Sequence, residues 1–103
     1  MCRVLAADIG AGSYRVMEGT YTDRGLDMKE LARFRHAPVQ RGGHYYWDIE
    51  EMRDNLIQVV RAAAKQGERI RSIGFDTFGS DFGLLDRVGV LHDRPLAYRD
   101  KVS

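Results

Sequence analysis

The residues best suited to chemistry are Asp8 to Ser13, which place a carboxylate, a turn of small residues and a hydroxyl after an apolar run. Small side chains let backbone N–H groups approach phosphate oxygens, and Ser13 adds a hydroxyl donor. A carboxylate beside a bound phosphate repels it unless a cation lies between them, so Asp8 indicates Mg²⁺. The segment predicts a site for a nucleotide triphosphate, although a plain hairpin with structural glycines fits the same residues.

A different interpretation takes Gly10-x-Gly12 as the start of a dinucleotide-binding motif. The third glycine of that motif is absent, and Asp8 stands where an anion has to approach. The residues that follow alternate like a strand instead of opening a helix. The sequence therefore disfavours a dinucleotide site.

A second polar segment, Gly74 to Phe82, contains two carboxylates, two hydroxyls and two glycines at the end of an apolar run. Ligands of open α/β sheets gather at the carboxyl ends of strands, so this segment predicts a pocket for a hydroxylated substrate. A polar turn between two buried strands is the alternative.

The histidines lack metal-ligand spacing, and the aromatic residues Tyr45 to Trp47 are interpreted as a packing cluster.

The elements that position these segments begin with three strands. Apolar runs and turn residues predict an antiparallel meander formed by Cys2–Ile9, Ser13–Tyr21 and Leu26–Phe34. The segment from Pro38 to His44 is predicted as a loop because it is rich in glycine and basic residues.

A helix is predicted from Ile49 to about Gln66. Asp48 is the expected N-cap, Glu51 follows in a capping-box pattern, and Gly67 stands where a C-terminal cap is expected. Apolar residues recur at three- and four-residue steps and make one face that packs on a sheet: Ile49, Met52, Leu56, Val59, Val60 and Ala63.

Further strands are expected after the helix. A helix of this length makes a crossover, so Ile70–Phe75 is predicted to run parallel to the first strand. Phe82–Leu85 is another apolar strand candidate, before a hairpin-like turn that begins at Asp86.

Composition limits the classes of function. The chain has 103 residues and a formal charge of +1, which fits one small domain and disfavours nucleic acid or an anionic membrane as a partner. Cys2 is the single cysteine, and no apolar run approaches a signal or transmembrane length, so we expect a cytoplasmic protein.

Four blocks of the sequence together resemble the FGGY carbohydrate kinases of the actin-like ATPase superfamily, and within them the rhamnulokinases. The blocks are distributed along nearly the whole length of the chain, at 7–17, 46–49, 72–86 and 95–100. The resemblance implies a ribonuclease-H-like α/β fold, incomplete here, in which residues 1–103 form the N-terminal part of the first, sugar-binding lobe and the second lobe is absent.

The resemblance also implies roles for individual residues. Asp8 helps to organise Mg²⁺, while Gly79 offers its backbone to the sugar and Asp81 is a further sugar contact. The ATP phosphates are contacted by Gly10, Ala11, Gly12, Ser13, Tyr14 and Arg15. The catalytic base of the family lies downstream of Ser103.

The implied activity is ATP-dependent phosphorylation of a ketose, L-rhamnulose at its 1-hydroxyl, by the full-length parent, with this chain inactive by itself. Other substrates, such as fuculose, xylulose or glycerol, stay open. So does a non-catalytic module that binds a nucleotide or a partner protein through an exposed sheet edge.

Overall fold

The computed structural model describes residues 1–79, 81–91 and 95–97. The elements in chain order are β1 (Cys2–Ile9), β2 (Ser13–Thr22), β3 (Gly25–Arg35), β4 (Val39–Arg41), β5 (His44–Tyr46), α1 (Ile49–Ala64) and β6 (Ile70–Thr77). The main feature is a four-stranded sheet in the order β3-β2-β1-β6, with α1 packed against it.

The first three strands form the predicted antiparallel meander. β1 pairs with β2 so that Ile9 faces Tyr14, and β2 pairs with β3 so that Tyr14 faces Phe34. Side chains alternate between the two sheet faces, and the face toward α1 holds the best-buried residues of the strands, Leu5 and Val16. The tight β1–β2 turn therefore brings Asp8 and the residues after it to one end of the sheet.

The helix begins as its sequence predicts. The Asp48 carboxylate accepts a hydrogen bond from the Glu51 amide (3.2 Å), which satisfies one of the free N–H groups of the first turn. The core joins Ala63 of α1 to Leu5 and Val16 of the sheet. Half-buried apolar residues of the helix and of the strands pack around it: Leu56, Val59, Val60, Leu31 and Ile70. The helix ends at Ala64, two residues before the predicted end at Gln66.

The crossover prediction is confirmed, because β6 lies parallel to β1. In their register Ala7 faces Phe75 and Asp8 faces Asp76. The carboxyl ends of β1 and β6 therefore meet at the same edge of the sheet, beside the β1–β2 turn.

Arg3 joins the sheet to the end of the helix from a buried position. Its guanidinium donates to the carbonyls of Ala63 (2.9 Å), Gln66 (2.5 Å) and Glu68 (2.6 Å). It also pairs with the Glu18 carboxylate at 2.7 Å. Ala63 lies in the last turn of α1, whereas Gln66 and Glu68 lie in the segment after it, so one buried cation holds the end of the helix and the chain that leaves it.

Two predictions about connecting segments are wrong. The residues from Pro38 to His44 were expected to be a loop, but β4 and β5 form a short hairpin around Gly42 and Gly43, whose φ values are +60° and +82°. Two glycines with positive φ fit a two-residue hairpin turn, and three-residue strands are too short to show an alternation in sequence. Phe82–Leu85 is not a strand, although a hairpin-like turn follows it, closed by the Asp86 amide donating to the Val90 carbonyl (2.8 Å).

Among the described residues, no helix is both long enough and apolar enough to cross a membrane.

Candidate functional site

The β1–β2 turn is held by its own backbone. The Gly10 amide donates to the Ser13 carbonyl (2.8 Å), and neither Gly10 nor Gly12 has a positive φ. A Cβ at Gly10 would lie 3.1 Å from the Ser13 carbonyl oxygen, whereas a Cβ at Gly12 would meet nothing within 4 Å. The fold therefore explains the glycine at position 10 but does not require one at position 12, where the backbone is open to solvent.

The tip of this turn offers unused hydrogen-bond donors. Within the part of the chain that the structure describes, the amides of Ala11 and Gly12 donate to no protein acceptor. Consecutive N–H groups in a turn that have no protein acceptor are available to bind an anion. This geometry favours the phosphate-binding interpretation over the plain hairpin.

Two charged side chains flank the turn on the sheet face opposite α1. Asp8 and Arg15 are register partners, and the Arg15 Nε lies 3.3 Å from an Asp8 carboxylate oxygen. Their side chains are 49% and 40% exposed, so solvent screens the pair and each group stays available to a ligand. The guanidinium suits phosphate oxygens, and the carboxylate suits a divalent cation.

Asp76 is a functional candidate to which the sequence interpretation gave no separate role. It is the register partner of Asp8 in the parallel β1–β6 pair, so both carboxylates lie on the same face at neighbouring strand ends. Mg²⁺ in nucleotide sites is bound by one or two carboxylates together with substrate phosphates. Parallel pairing, which joins residues far apart in sequence, is what brings these two carboxylates together.

Tyr14 was expected to contact ATP phosphates, and its side chain faces the other way. The ring is only 3% exposed, stacks on Phe34 at 5.1 Å between centroids, and lies on the α1 side of the sheet. The Asn55 amide of α1 donates to its hydroxyl oxygen (2.8 Å). Tyr14 therefore anchors the start of β2, and only its backbone remains for a ligand.

The residues expected at the sugar lie just beyond β6. Gly79 is exposed, with open space where a Cβ would stand, and the half-buried Asp81 accepts a hydrogen bond from the Trp47 indole N–H. The Trp47 ring packs on Phe78 at 4.9 Å between centroids. Asp81 therefore has a fixed orientation, which its short polar sequence context did not reveal.

Trp47 itself is held by the backbone around it. Its amide donates to the Pro95 carbonyl (2.9 Å), and the Ala97 amide donates to the Tyr45 carbonyl (2.8 Å). The packing role expected for the Tyr45 to Trp47 cluster agrees with the burial of Trp47. Ser80, inside the predicted substrate segment, lies outside the described residues.

Comparison with known proteins gives a consistent assignment. No family model matches the chain. It is 43% identical over 95 residues to a rhamnulokinase of Bacteroides thetaiotaomicron, a match that covers 92% of this chain and 20% of that protein. It is 34% identical over 99 residues to a rhamnulokinase of Mannheimia succiniciproducens, covering 94% of the chain and again 20% of the relative. Nearly the whole chain is thus similar in sequence to part of these rhamnulokinases. It spans about a fifth of the length of the curated relatives it matches.

Solved structures of sugar kinases share the fold. A xylulose kinase from Rhodospirillum rubrum superposes with a TM-score of 0.65 at 19% identity, over 91% of this chain and 20% of that one. A gluconate kinase from Lactobacillus acidophilus superposes with a TM-score of 0.66 at 17% identity, over 95% of this chain and 20% of that one. These likenesses confirm the expected fold class, a partial α/β domain of the actin-like ATPase type.

Proposed function

We propose that this chain contributes the phosphate-binding turn and part of the sugar site of a rhamnulokinase-like, ATP-dependent sugar kinase. The observation that carries the proposal is the β1–β2 turn, where the free amides of Ala11 and Gly12 lie beside Asp8 and Arg15. The rhamnulokinase names of the relatives support the sugar-kinase class. Because the chain spans a fifth of their length, the activity is assigned to the whole protein.

In this proposal the backbone from Gly10 to Arg15 binds the ATP phosphates. The amides of Ala11 and Gly12 donate to phosphate oxygens, and the Ser13 hydroxyl adds a donor. The Arg15 guanidinium exchanges its ion pair with Asp8 for one with a phosphate group. Small residues at the tip let the nucleotide approach the backbone closely, which explains a glycine at position 12 that the fold itself does not require.

The residues fit a Mg²⁺ ion as well. Asp8 and its neighbour Asp76 present two carboxylates at one strand end, next to the proposed phosphate site. When bound, Mg²⁺ neutralises charge on the phosphates during phosphoryl transfer. Asp8 and Asp76 hold and orient it, directly or through water.

The acceptor in this proposal is a ketose, with L-rhamnulose preferred and its 1-hydroxyl attacked. The bond between the γ-phosphorus and the β–γ bridging oxygen of ATP breaks as a bond to the sugar oxygen forms, and the hydroxyl proton leaves to a base. Gly79 binds the sugar through its backbone, and Asp81 accepts from a sugar hydroxyl with the oxygen that Trp47 does not use. The base is expected outside this chain, so the chain alone is expected to be inactive.

The test is a coupled ADP-release assay of the whole protein with L-rhamnulose, L-fuculose, D-xylulose and glycerol. We expect L-rhamnulose to give the highest kcat/KM, and the 103-residue chain alone to give no turnover. A complementary test replaces the matching N-terminal fifth of the Bacteroides thetaiotaomicron rhamnulokinase with this chain, which is expected to keep kinase activity. Activity of the whole protein with none of these acceptors contradicts the proposal.

A further inference from the structure

His36 belongs to no recognised motif, yet it contacts both halves of the candidate site. Its Nε2 lies 2.6 Å from the Gly10 carbonyl oxygen, and its backbone amide donates to the Gly12 carbonyl (3.2 Å). A carbonyl oxygen can only accept, so the Nε2 carries the proton and donates. His36 therefore holds both glycine carbonyls of the β1–β2 turn.

The hydrogen bond from His36 to the Gly10 carbonyl sets the direction of the Ala11 N–H, which is proposed to donate to phosphate. The Gly10 carbonyl and the Ala11 amide N–H belong to one planar peptide unit, and the described chain has no cis peptide, so the two groups point in opposite directions. A Gly10 carbonyl fixed on the His36 ring turns the Ala11 N–H away from that ring. His36 thus orients a donor that it does not touch.

The same ring contacts the sugar side. The His36 imidazole lies between Tyr14, at 5.0 Å and nearly perpendicular, and Trp47, at 4.9 Å and 30° between the planes. Trp47 then donates to Asp81 and packs on Phe78. One continuous set of contacts joins the β1–β2 turn to the residues on both sides of Gly79.

We propose that His36 is a positioning residue that orients the phosphate-binding amides through the Gly10 carbonyl and joins them, through Trp47, to the sugar-side carboxylate of Asp81. This inference rests on the proposed kinase function. Phosphoryl transfer requires ATP and the sugar to be held in a narrow range of relative positions. A residue that contacts both sites keeps them in one arrangement.

Two variants separate the roles of the His36 side chain. His36→Phe keeps a ring between Tyr14 and Trp47 but cannot donate to Gly10, whereas His36→Gln keeps an N–H donor of similar reach and loses the ring. In the whole protein, we expect His36→Phe to raise the KM for MgATP about five- to tenfold, the range of one lost hydrogen bond, with a smaller change in the KM for the sugar. His36→Gln is expected to restore the KM for MgATP to within about threefold of wild type.

Trp47→Phe tests the other end, because it keeps an aromatic ring and removes the donor to Asp81. It is expected to raise the KM for the sugar more than that for MgATP. Tyr21→Phe, at the opposite end of β2 and 62% exposed, is the matched control and should leave both constants unchanged. Equal constants for wild type and His36→Phe, with only a lower melting temperature, would overturn the proposal.

A measurement without substrate separates this inference from the kinase assignment. In ¹⁵N-labelled protein, His36→Phe is expected to shift the amide resonances of Ala11 and Gly12, and His36→Gln to return them toward their wild-type positions. The indole N–H of Trp47, the single tryptophan of this chain, reports the Asp81 bond. An inactive wild type whose turn amides still respond in this way refutes the kinase function alone, whereas unchanged amides in an active enzyme refute the role of His36.

Discussion

At the scale of single residues, position 12 distinguishes a ligand site from a simple turn. Gly12 has no positive φ, and a Cβ there would meet no atom within 4 Å, so neither the backbone nor the packing demands glycine. A bound phosphate that contacts the Ala11 and Gly12 amides closely does demand it. Gly12 is therefore the residue at which stability and nucleotide binding should respond most differently.

We expect Gly12→Val to raise the KM for MgATP of the whole protein at least tenfold, because a branched side chain covers the turn amides. The melting temperature should change by no more than about 2 °C, as surface substitutions away from strained positions have small effects. Kinetics with varied MgATP and thermal unfolding check the two halves of the prediction. A large loss of stability with an unchanged KM would identify the turn as purely structural.

The pairing of Asp8 with Asp76 gives a second prediction at this scale. Asp76→Asn removes one of two neighbouring carboxylates, so the Mg²⁺ concentration for half-maximal activity should rise by about 10- to 100-fold, the usual loss for a group that supports a metal. Asp23→Asn, in the turn between β2 and β3, is the control. If both variants require the same Mg²⁺ concentration as wild type, Asp76 takes no part in metal binding.

At the scale of elements, Arg3 links β1, β2 and the end of α1. Its side chain is 8% exposed and binds a carboxylate and three carbonyl oxygens. Removing one partner of a buried ion pair leaves the other charge without compensation. The contact therefore fixes the C-terminal end of α1 against β1 and β2.

Arg3→Met is therefore expected to lower the free energy of unfolding by about 3 kcal/mol. Arg33→Met, which breaks the exposed pair with Glu30 on β3, should cost less than about 1 kcal/mol. Urea unfolding of both variants measures the difference. Similar values for the two would show that burial of Arg3 adds nothing to its contribution.

Sequence patterns were sufficient to predict five elements, because apolar runs, turn residues or a helix cap mark each of them: β1, β2, β3, α1 and the parallel strand β6. The patterns did not reveal contacts between distant residues. The His36 ring on Gly10, the Trp47 bond to Asp81 and the Asp8–Asp76 pair join positions separated by 26 to 68 residues, and no local spacing encodes them. The orientation of the Tyr14 side chain toward α1 follows from strand alternation. Because Tyr14 lies in the block that resembles the kinases, it was predicted to contact phosphate instead.

At the scale of the whole molecule, an apolar groove of about 540 Å³ lies between α1 and the sheet, where β2, β1 and β6 line it. Its lining includes Ile57, Ile73 and Phe75, and the last of these is 67% exposed. Within the described residues, β6 pairs only with β1, so its other edge is free. An exposed apolar face next to a free strand edge favours association.

The 103-residue chain alone is thus expected to self-associate at micromolar concentrations, and Phe75→Lys to shift it toward monomer. Tyr21→Lys, at a similarly exposed aromatic position on an interior strand, should change association less. Sedimentation velocity over a concentration series measures both. A wild-type chain that stays monomeric throughout contradicts this expectation.

The parallel β1–β6 pair also determines when the site can form during folding. The β1–β2 turn can close early because it is local, but Asp76, Gly79 and Asp81 reach it only after the chain has passed through α1 and returned to β1. Closing so long a loop is slow compared with hairpin formation. The residues proposed to bind the phosphates and the sugar should therefore become adjacent in the last major folding step, and a partly folded chain that has only its meander should lack the proposed sugar site.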